Sequence, residues 1–155
     1  MTAPRARRFQ PDDGPGCWAV FVDAVRVGAR DHYSPAELAD WLPDDTYPDG
    51  YADWLAGKIT FVAGDGEQIT GFMMMHPDGY LDLAFVLARC RRTGLAALLY
   101  TEILAEARRL GLPRLTVKAS RLAERFFARA GWQPMVDPDG APLDDGMSRH
   151  MDLYL

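Results

Sequence analysis

The residues best suited to chemistry stand together at Arg91-Arg92-Thr93-Gly94-Leu95-Ala96-Ala97. A helical apolar pattern begins here, and the N–H groups of a helix's first turn have no acceptor inside the helix. Together with the helix dipole they form a site for an anion such as phosphate. Glycine at 94 lets the main chain approach a ligand closely, Ala96 and Ala97 keep side chains out of the way, and Arg91 and Arg92 add positive charge. Arg-rich turns before helices are also common as solvated loops, so the pattern alone leaves both readings open. A second group is Trp41, Tyr47, Tyr51 and Trp54, interleaved with Asp40, Asp44, Asp45, Asp49 and Asp53. It reads either as an acidic, aromatic mouth for a cation or as small-helix packing with solvated acids. Cys17 and Cys90 are far apart and have no metal-ligand or redox spacing, so two free thiols and no metal are expected.

The elements that must hold these groups follow from periodicity. Ala6 to Phe9 reads as a first strand, and Val20, Phe21, Ala24, Val25 and Gly28 recur at helical spacing. Ser34-Pro35-Ala36-Glu37 carries the signature of a capped helix start, predicting a short helix to about Trp41. Tyr51 to Leu55 has room for a turn or two of helix. Ile59 to Ala63 and Ile69 to Met75 are apolar runs split by Gly64-Asp65-Gly66, a hairpin pattern. His76-Pro77-Asp78-Gly79 turns the chain again, with His76 structural or exposed. Tyr80 to Val86 then alternates, placing Leu81, Leu83 and Phe85 on one face and Asp82 on the other. Thr93 to Leu110 is a long helix with Leu95, Leu99, Ile103, Ala107 and Leu110 on one stripe. Leu115 and Val117 mark a strand, Ser120 caps a helix carrying Leu122, Ala123, Phe126 and Phe127 inward, and Gln133 to Val136 and Ser148 to Tyr154 are the last strands. The pattern is mixed α/β with an antiparallel majority.

At 155 residues, 48% hydrophobic and 25% charged, the composition is that of one globular domain, spanning residues 1–155, without repeats or linkers. No apolar run reaches membrane-spanning length, and the basic N-terminus lacks the apolar stretch of a secretory signal, so a cytoplasmic location is expected. A net charge of -5 disfavours nucleic acid and anionic membranes as partners, and mildly favours a cationic small molecule.

Asp78 to Val86, Arg91 to Tyr100 and Ala105 to Gly111 together resemble the central part of GNAT acetyltransferases. Arg91-x-x-Gly94-x-Ala96 is similar to that superfamily's Gln/Arg-x-x-Gly-x-Gly/Ala acyl-CoA signature. Lys118-Ala119-Ser120 and Ala123 to Trp132 resemble its later segment, and the likeness is nearest to a bacterial branch with small or unknown amine substrates. The resemblance implies an α/β fold of the α+β type: a twisted, mostly antiparallel sheet of about seven strands with helices on both faces, its fourth and fifth strands splayed. The pantetheine arm of acetyl-CoA would lie in that gap on main-chain groups of Phe85, Val86 and Leu87, with the pyrophosphate over the N–H groups from Arg92 through Thr93, Gly94, Leu95 and Ala96 to Ala97. Ser120, Phe126 and Phe127 would flank the coenzyme. The implied activity is direct acetyl transfer to a primary amine of a small molecule or a protein, and the alternative is a non-catalytic acyl-CoA sensor. Asp82 is the first choice as general base, with His32 and Tyr33 as further candidates. Many relatives carry a Tyr acid where this chain has Phe127 and an Asn near Ser120, whose hydroxyl could assist. Many relatives also dimerise, so a homodimer is within the family's range.

Overall fold

The computed structural model describes residues 3–155; Met1 and Thr2, the first two residues of the expected domain, lie outside the described residues. These residues form a seven-stranded sheet: β1 (Arg5–Arg8), β2 (Ile59–Gly64), β3 (Ile69–Met75), β4 (Tyr80–Val86), β5 (Arg114–Ser120), β6 (Gln133–Pro134) and β7 (Ser148–Tyr154). Their spatial order is β1-β2-β3-β4-β5-β7-β6, and every pair is antiparallel except β4 with β5. The helices are α1 (Gly14–Asp23), α2 (Pro35–Trp41), α3 (Tyr51–Ala56), α4 (Leu95–Arg109) and α5 (Glu124–Arg129). None of them is long and apolar enough to cross a membrane.

Strands β2 and β3 are apolar apart from the buried Thr60 and Thr70 because both faces are covered. Phe61, Ala63, Met73 and Met75 meet Leu95, Leu99, Ile103 and Ala107 of α4 on one side. Val62, Phe72 and Met74 meet Cys17 and Val20 of α1 and Leu55 of α3 on the other. Helix α1 runs into one π turn, Ala24–Gly28. Helix α2 has the expected reciprocal cap: Glu37 N–H donates to Ser34 Oγ at 3.1 Å, and Ser34 N–H donates to Glu37 Oε1 at 2.9 Å.

Three expectations need correction. Met74 pairs with Leu83 and Met75 with Leu81, so Asp82 is an extra residue, a bulge, in β4. The bulge reverses the alternation: Leu81 joins Ala84 and Val86 on the α4 side, while Leu83 and Phe85 face α1. Leu81, Leu83 and Phe85 therefore do not share a face. Leu110, placed on the buried stripe by spacing, lies past the end of α4 and is 42% exposed. The strand expected from Gln133 to Val136 is only Gln133–Pro134, followed by a lone bridge from Val136 to Pro142, because Pro134 has no N–H to give a ladder.

The expected splay is present. Strands β4 and β5 pair only at Tyr80–Thr116 and Leu81–Val117, beside a bond from Thr116 N–H to Gly79 O at 3.1 Å. Gly79 makes this approach feasible: its φ is +97°, and a Cβ there would sit 2.7 Å from Arg114 O. Beyond Leu81 the bulge swings β4 away from β5.

Candidate active site

The divergence of β4 and β5 opens a cavity of about 400 Å³. Ala84 and Phe85 form one wall, Lys118 and Ser120 the other, and Phe127 of α5 closes the base. Phe21, Tyr33 and Trp41 cover it from the early helices, with Asp40 at the same surface. Phe21 stacks on Phe85 at 4.9 Å, so the cover is packed against the strand.

The β3–β4 register decides which main-chain groups face the opening. Leu87 N–H donates to Thr70 O at 2.8 Å, and in an antiparallel ladder such bonds fall on alternate residues. Phe85 and Leu83 therefore also turn toward β3, whereas the N–H and C=O groups of Ala84 and Val86 turn away from it, to the β5 side. Leu87 C=O accepts Cys90 N–H at 2.8 Å as well, so the Leu87 main chain is engaged on both sides. Of the three residues expected to offer main-chain groups, Val86 alone turns both away from β3, and Ala84, in the cavity wall, joins it.

After β4 the chain is held by Asp23, whose Oδ2 accepts Ala88 N–H at 2.7 Å. The Arg91 guanidinium reaches Gly28 O of the π turn at 3.4 Å, and Thr93 Oγ1 donates to Cys90 O at 2.5 Å. Arg92 and Gly94 are both left-handed, with φ of +64° and +88°. The first bond of α4 runs from Leu98 N–H to Gly94 O at 3.0 Å, and no side chain caps this end. Leu95 is buried and anchors the helix, while Arg92, Thr93, Gly94 and Ala97 lie at the surface around the free N–H groups. A Cβ at Gly94 would meet nothing within 4 Å, so the glycine serves the backbone conformation and leaves space above the turn.

The bulge brings Asp82 into the cavity wall. Its Oδ2 lies 2.8 Å from His76 Nε2, and the two side chains are 26% and 25% exposed. His76 itself does not line the cavity, and its ring packs against Tyr80 at 5.4 Å. Burial pushes the Tyr80 phenol up, and the neighbouring Asp82 carboxylate adds to the effect. The expectation for His76, structural or exposed, missed this contact; the residue types at 76 and 82 do not reveal it without the closed turn and the bulge.

The remaining candidates separate. His32 is exposed and outside the cavity lining, and what it contributes is its carbonyl, which accepts Arg121 Nη1 at 2.8 Å. Tyr33 lines the cavity, yet its hydroxyl donates to Met147 O at 2.6 Å and accepts Arg121 N–H at 2.8 Å. Burial pushes its phenol up, so the proton stays on the oxygen and the residue is poorly placed to act as a base. Ser120 lines the cavity and accepts Ala123 N–H at 3.3 Å, capping the turn that precedes α5 rather than α5 itself, whose N-cap is Ala123. Phe127 is 1% exposed and packs edge-on against Trp132 at 5.0 Å. Phe126 contacts Tyr100 and Phe127 but is not part of the lining. Of the acidic, aromatic group, only Asp40 and Trp41 reach the cavity; Tyr51 is buried beside Trp18, and Tyr47 and Trp54 are exposed elsewhere.

Residues 29–142 match the family model of the acetyltransferase (GNAT) domain. A protein of Escherichia coli strain K12 named uncharacterized N-acetyltransferase YafP is 34% identical over 134 residues, covering 86% of this chain and 83% of that protein. A GCN5-related N-acetyltransferase structure from Rhodopseudomonas palustris superposes with a TM-score of 0.81 at 26% identity, over 100% of this chain and 98% of its own. The PaiA N-acetyltransferase of Thermoplasma acidophilum, solved in complex with coenzyme A, has the same fold, with a TM-score of 0.78 at 12% identity over 99% and 100% of the two chains.

Proposed function

The chain belongs to the GNAT acetyltransferase family, and from that premise we propose that it moves the acetyl group of acetyl-CoA directly onto a primary amine of a small molecule or a protein. It is an acyl-CoA-dependent acetyltransferase enzyme. The observation that carries the reading is the gap between β4 and β5, beside a strand that leads through a short turn into the uncapped start of α4. A pantetheine arm has amides that can bond Ala84 and Val86 as an added strand would. The pyrophosphate then meets the free N–H groups from Gly94 to Ala97, with Arg91 and Arg92 supplying charge. Ser120 and Phe127 border the arm from the β5 side. That PaiA was solved with coenzyme A agrees with this use of the fold.

Acyl transfer makes three demands: a deprotonated amine, a donor for the oxyanion and a leaving thiolate. Ala84 N–H, the open-side donor nearer Asp82, serves the oxyanion, and the Ala84 carbonyl and Val86 are left for the arm. Asp82, at the cavity wall, is the base, since His32 is outside the cavity and the Tyr33 hydroxyl is committed. Phe127 has no proton to give, but a thiol with pKa about 8.5 can leave as thiolate, so the missing acid slows the reaction without forbidding it. Asp40 and Asp82 beside the Trp41, Phe21 and Phe85 rings suit an acceptor that arrives as a cation.

Calorimetry with acetyl-CoA, wild type against Gly94→Glu, tests the coenzyme site: binding that the Glu abolishes supports it, and no wild-type binding at millimolar ligand overturns it. Thiol release with phenethylamine, lysine, spermidine and a peptide with a free N-terminus tests the reaction. Binding with none of the four turned over would favour the acyl-CoA sensor instead.

A further inference from the structure

We propose that His76 is a positioning residue for proton removal: it holds the Asp82 carboxylate in the cavity wall and passes the acceptor's proton to solvent on the side away from the cavity. The inference rests on the reading of Asp82 as the base. Acetylation of an ammonium releases one proton overall. A C–N bond forms and the C–S bond breaks; of the three ammonium protons one stays on the amide, one ends on the thiol, and one must leave. When coenzyme and acceptor fill the cavity, that proton needs a path to water, and the wall offers one. Asp82 is the residue that touches both sides, with its carboxylate lining the cavity and its Oδ2 2.8 Å from His76 Nε2.

The local fold fixes that pair. The bulge at Asp82 frees it from the alternation of β4, and His76 is pinned at the head of the turn by two main-chain bonds, His76 N–H to Tyr80 O at 2.8 Å and Gly79 N–H to His76 O at 2.9 Å. The ring is flanked by Tyr80 and remains a quarter exposed, so its second nitrogen has access to water. A carboxylate is a weak proton store, with a reference pKa near 4, whereas imidazole, near 6.5, holds a proton long enough to release it to water. The ionisable groups around it are Asp82 and Tyr80 of β4, Asp78 of the turn, which accepts Tyr80 N–H at 3.0 Å, Asp145, whose charge reaches Tyr80, and Lys118 in the opposite cavity wall.

In the relay the ring carries its own hydrogen on Nδ1, so that Nε2 takes the proton arriving on Asp82 Oδ2 and Nδ1 gives one to water. The test compares wild type, His76→Gln, Asp82→Asn and the double variant, using acetyl-CoA and whichever of the four amines above turns over fastest, from pH 5.5 to 9.5. Gln can still hydrogen-bond Asp82 through its amide but cannot carry a proton. Expected for His76→Gln are an unchanged KM for acetyl-CoA, a 10- to 100-fold lower kcat/KM at neutral pH and a changed pH profile of kcat/KM. The double variant should be no slower than Asp82→Asn, because the pair acts as a unit. Wild-type kinetics in His76→Gln, with Asp82→Asn inactive, overturns the inference alone; wild-type kinetics in Asp82→Asn overturns the base assignment beneath it. NMR of the His76 ring nitrogens in the free protein gives a readout without turnover: Asp82→Asn should move the Nε2 resonance, and an unmoved resonance would sink the pairing.

Discussion

Tyr33 joins three parts of the chain through one oxygen, since its hydroxyl reaches Met147 O and Arg121 N–H while its ring lies under the Arg121 guanidinium at 4.5 Å. Tyr33→Phe leaves both main-chain groups without that partner, and a loss of about 1–3 kcal/mol in urea unfolding is expected, with the pH dependence of kcat unchanged in shape. Gly94 illustrates a different economy. A methyl group there meets no atom, so Gly94→Ala costs about 1–2 kcal/mol for the left-handed backbone, and calorimetry should find acetyl-CoA affinity reduced far less than by Gly94→Glu. Gly94 was legible in the sequence because a glycine before a helical run marks a backbone requirement by its type alone. The duties of Tyr33 were not, since both partners are distant in the chain and tyrosine pairs equally well with many groups. His76 fell between: its neighbourhood was visible, but its partner depended on one extra residue in β4.

That residue shows what strand periodicity can and cannot tell. Alternation found β4 and its ends, yet reading through Asp82 as an ordinary position put Leu83 and Phe85 on the wrong side, because a bulge leaves no compositional mark when the following residues are apolar on both faces. The capped start of α2 and the core stripe of α4 were legible, since capping and helical spacing are local. The loop before β7 was read only as turns, although it borders the cavity through Met147 and Ser148. Its order depends on Asp145, whose carboxylate accepts Met147 N–H at 2.9 Å, Ser148 N–H at 2.7 Å and the Ser148 hydroxyl at 2.9 Å. Burial works to raise this carboxyl, but these bonds and His150 outweigh it and bring it down to about 2. A depressed folded pKa stabilises above the unfolded value near 3.9 and is lost as pH falls through the folded one. Thermal melts should therefore show wild type more stable than Asp145→Asn at pH 5, with the gap closing between about pH 4 and pH 2; a gap that stays constant through that window would show that the loop does not depend on the charge.

For the molecule as a whole, two fields act on an anionic coenzyme. The net charge of -5 repels it at long range, and the start of α4 with Arg91 and Arg92 attracts it at short range. At physiological ionic strength the screening length is about 8 Å, so the distant charges are damped first and the turn should prevail. Raising salt from 20 to 500 mM is expected to weaken acetyl-CoA binding several-fold by calorimetry; strengthening would mean that the overall charge dominates. The seven-stranded sheet was legible through the family resemblance, together with its split between β4 and β5, while composition and charge left the architecture open. The split has a protective consequence. Strands with unpaired N–H and C=O groups at a sheet's rim invite other chains to add to them, which is how sheets come to aggregate. Here the adhesive row on Ala84 and Val86 is recessed between two strands of the same sheet. A single thin arm can reach it, but a neighbouring protein with full side chains cannot, so the fold keeps a sticky seam at its centre without exposing it to the crowd outside.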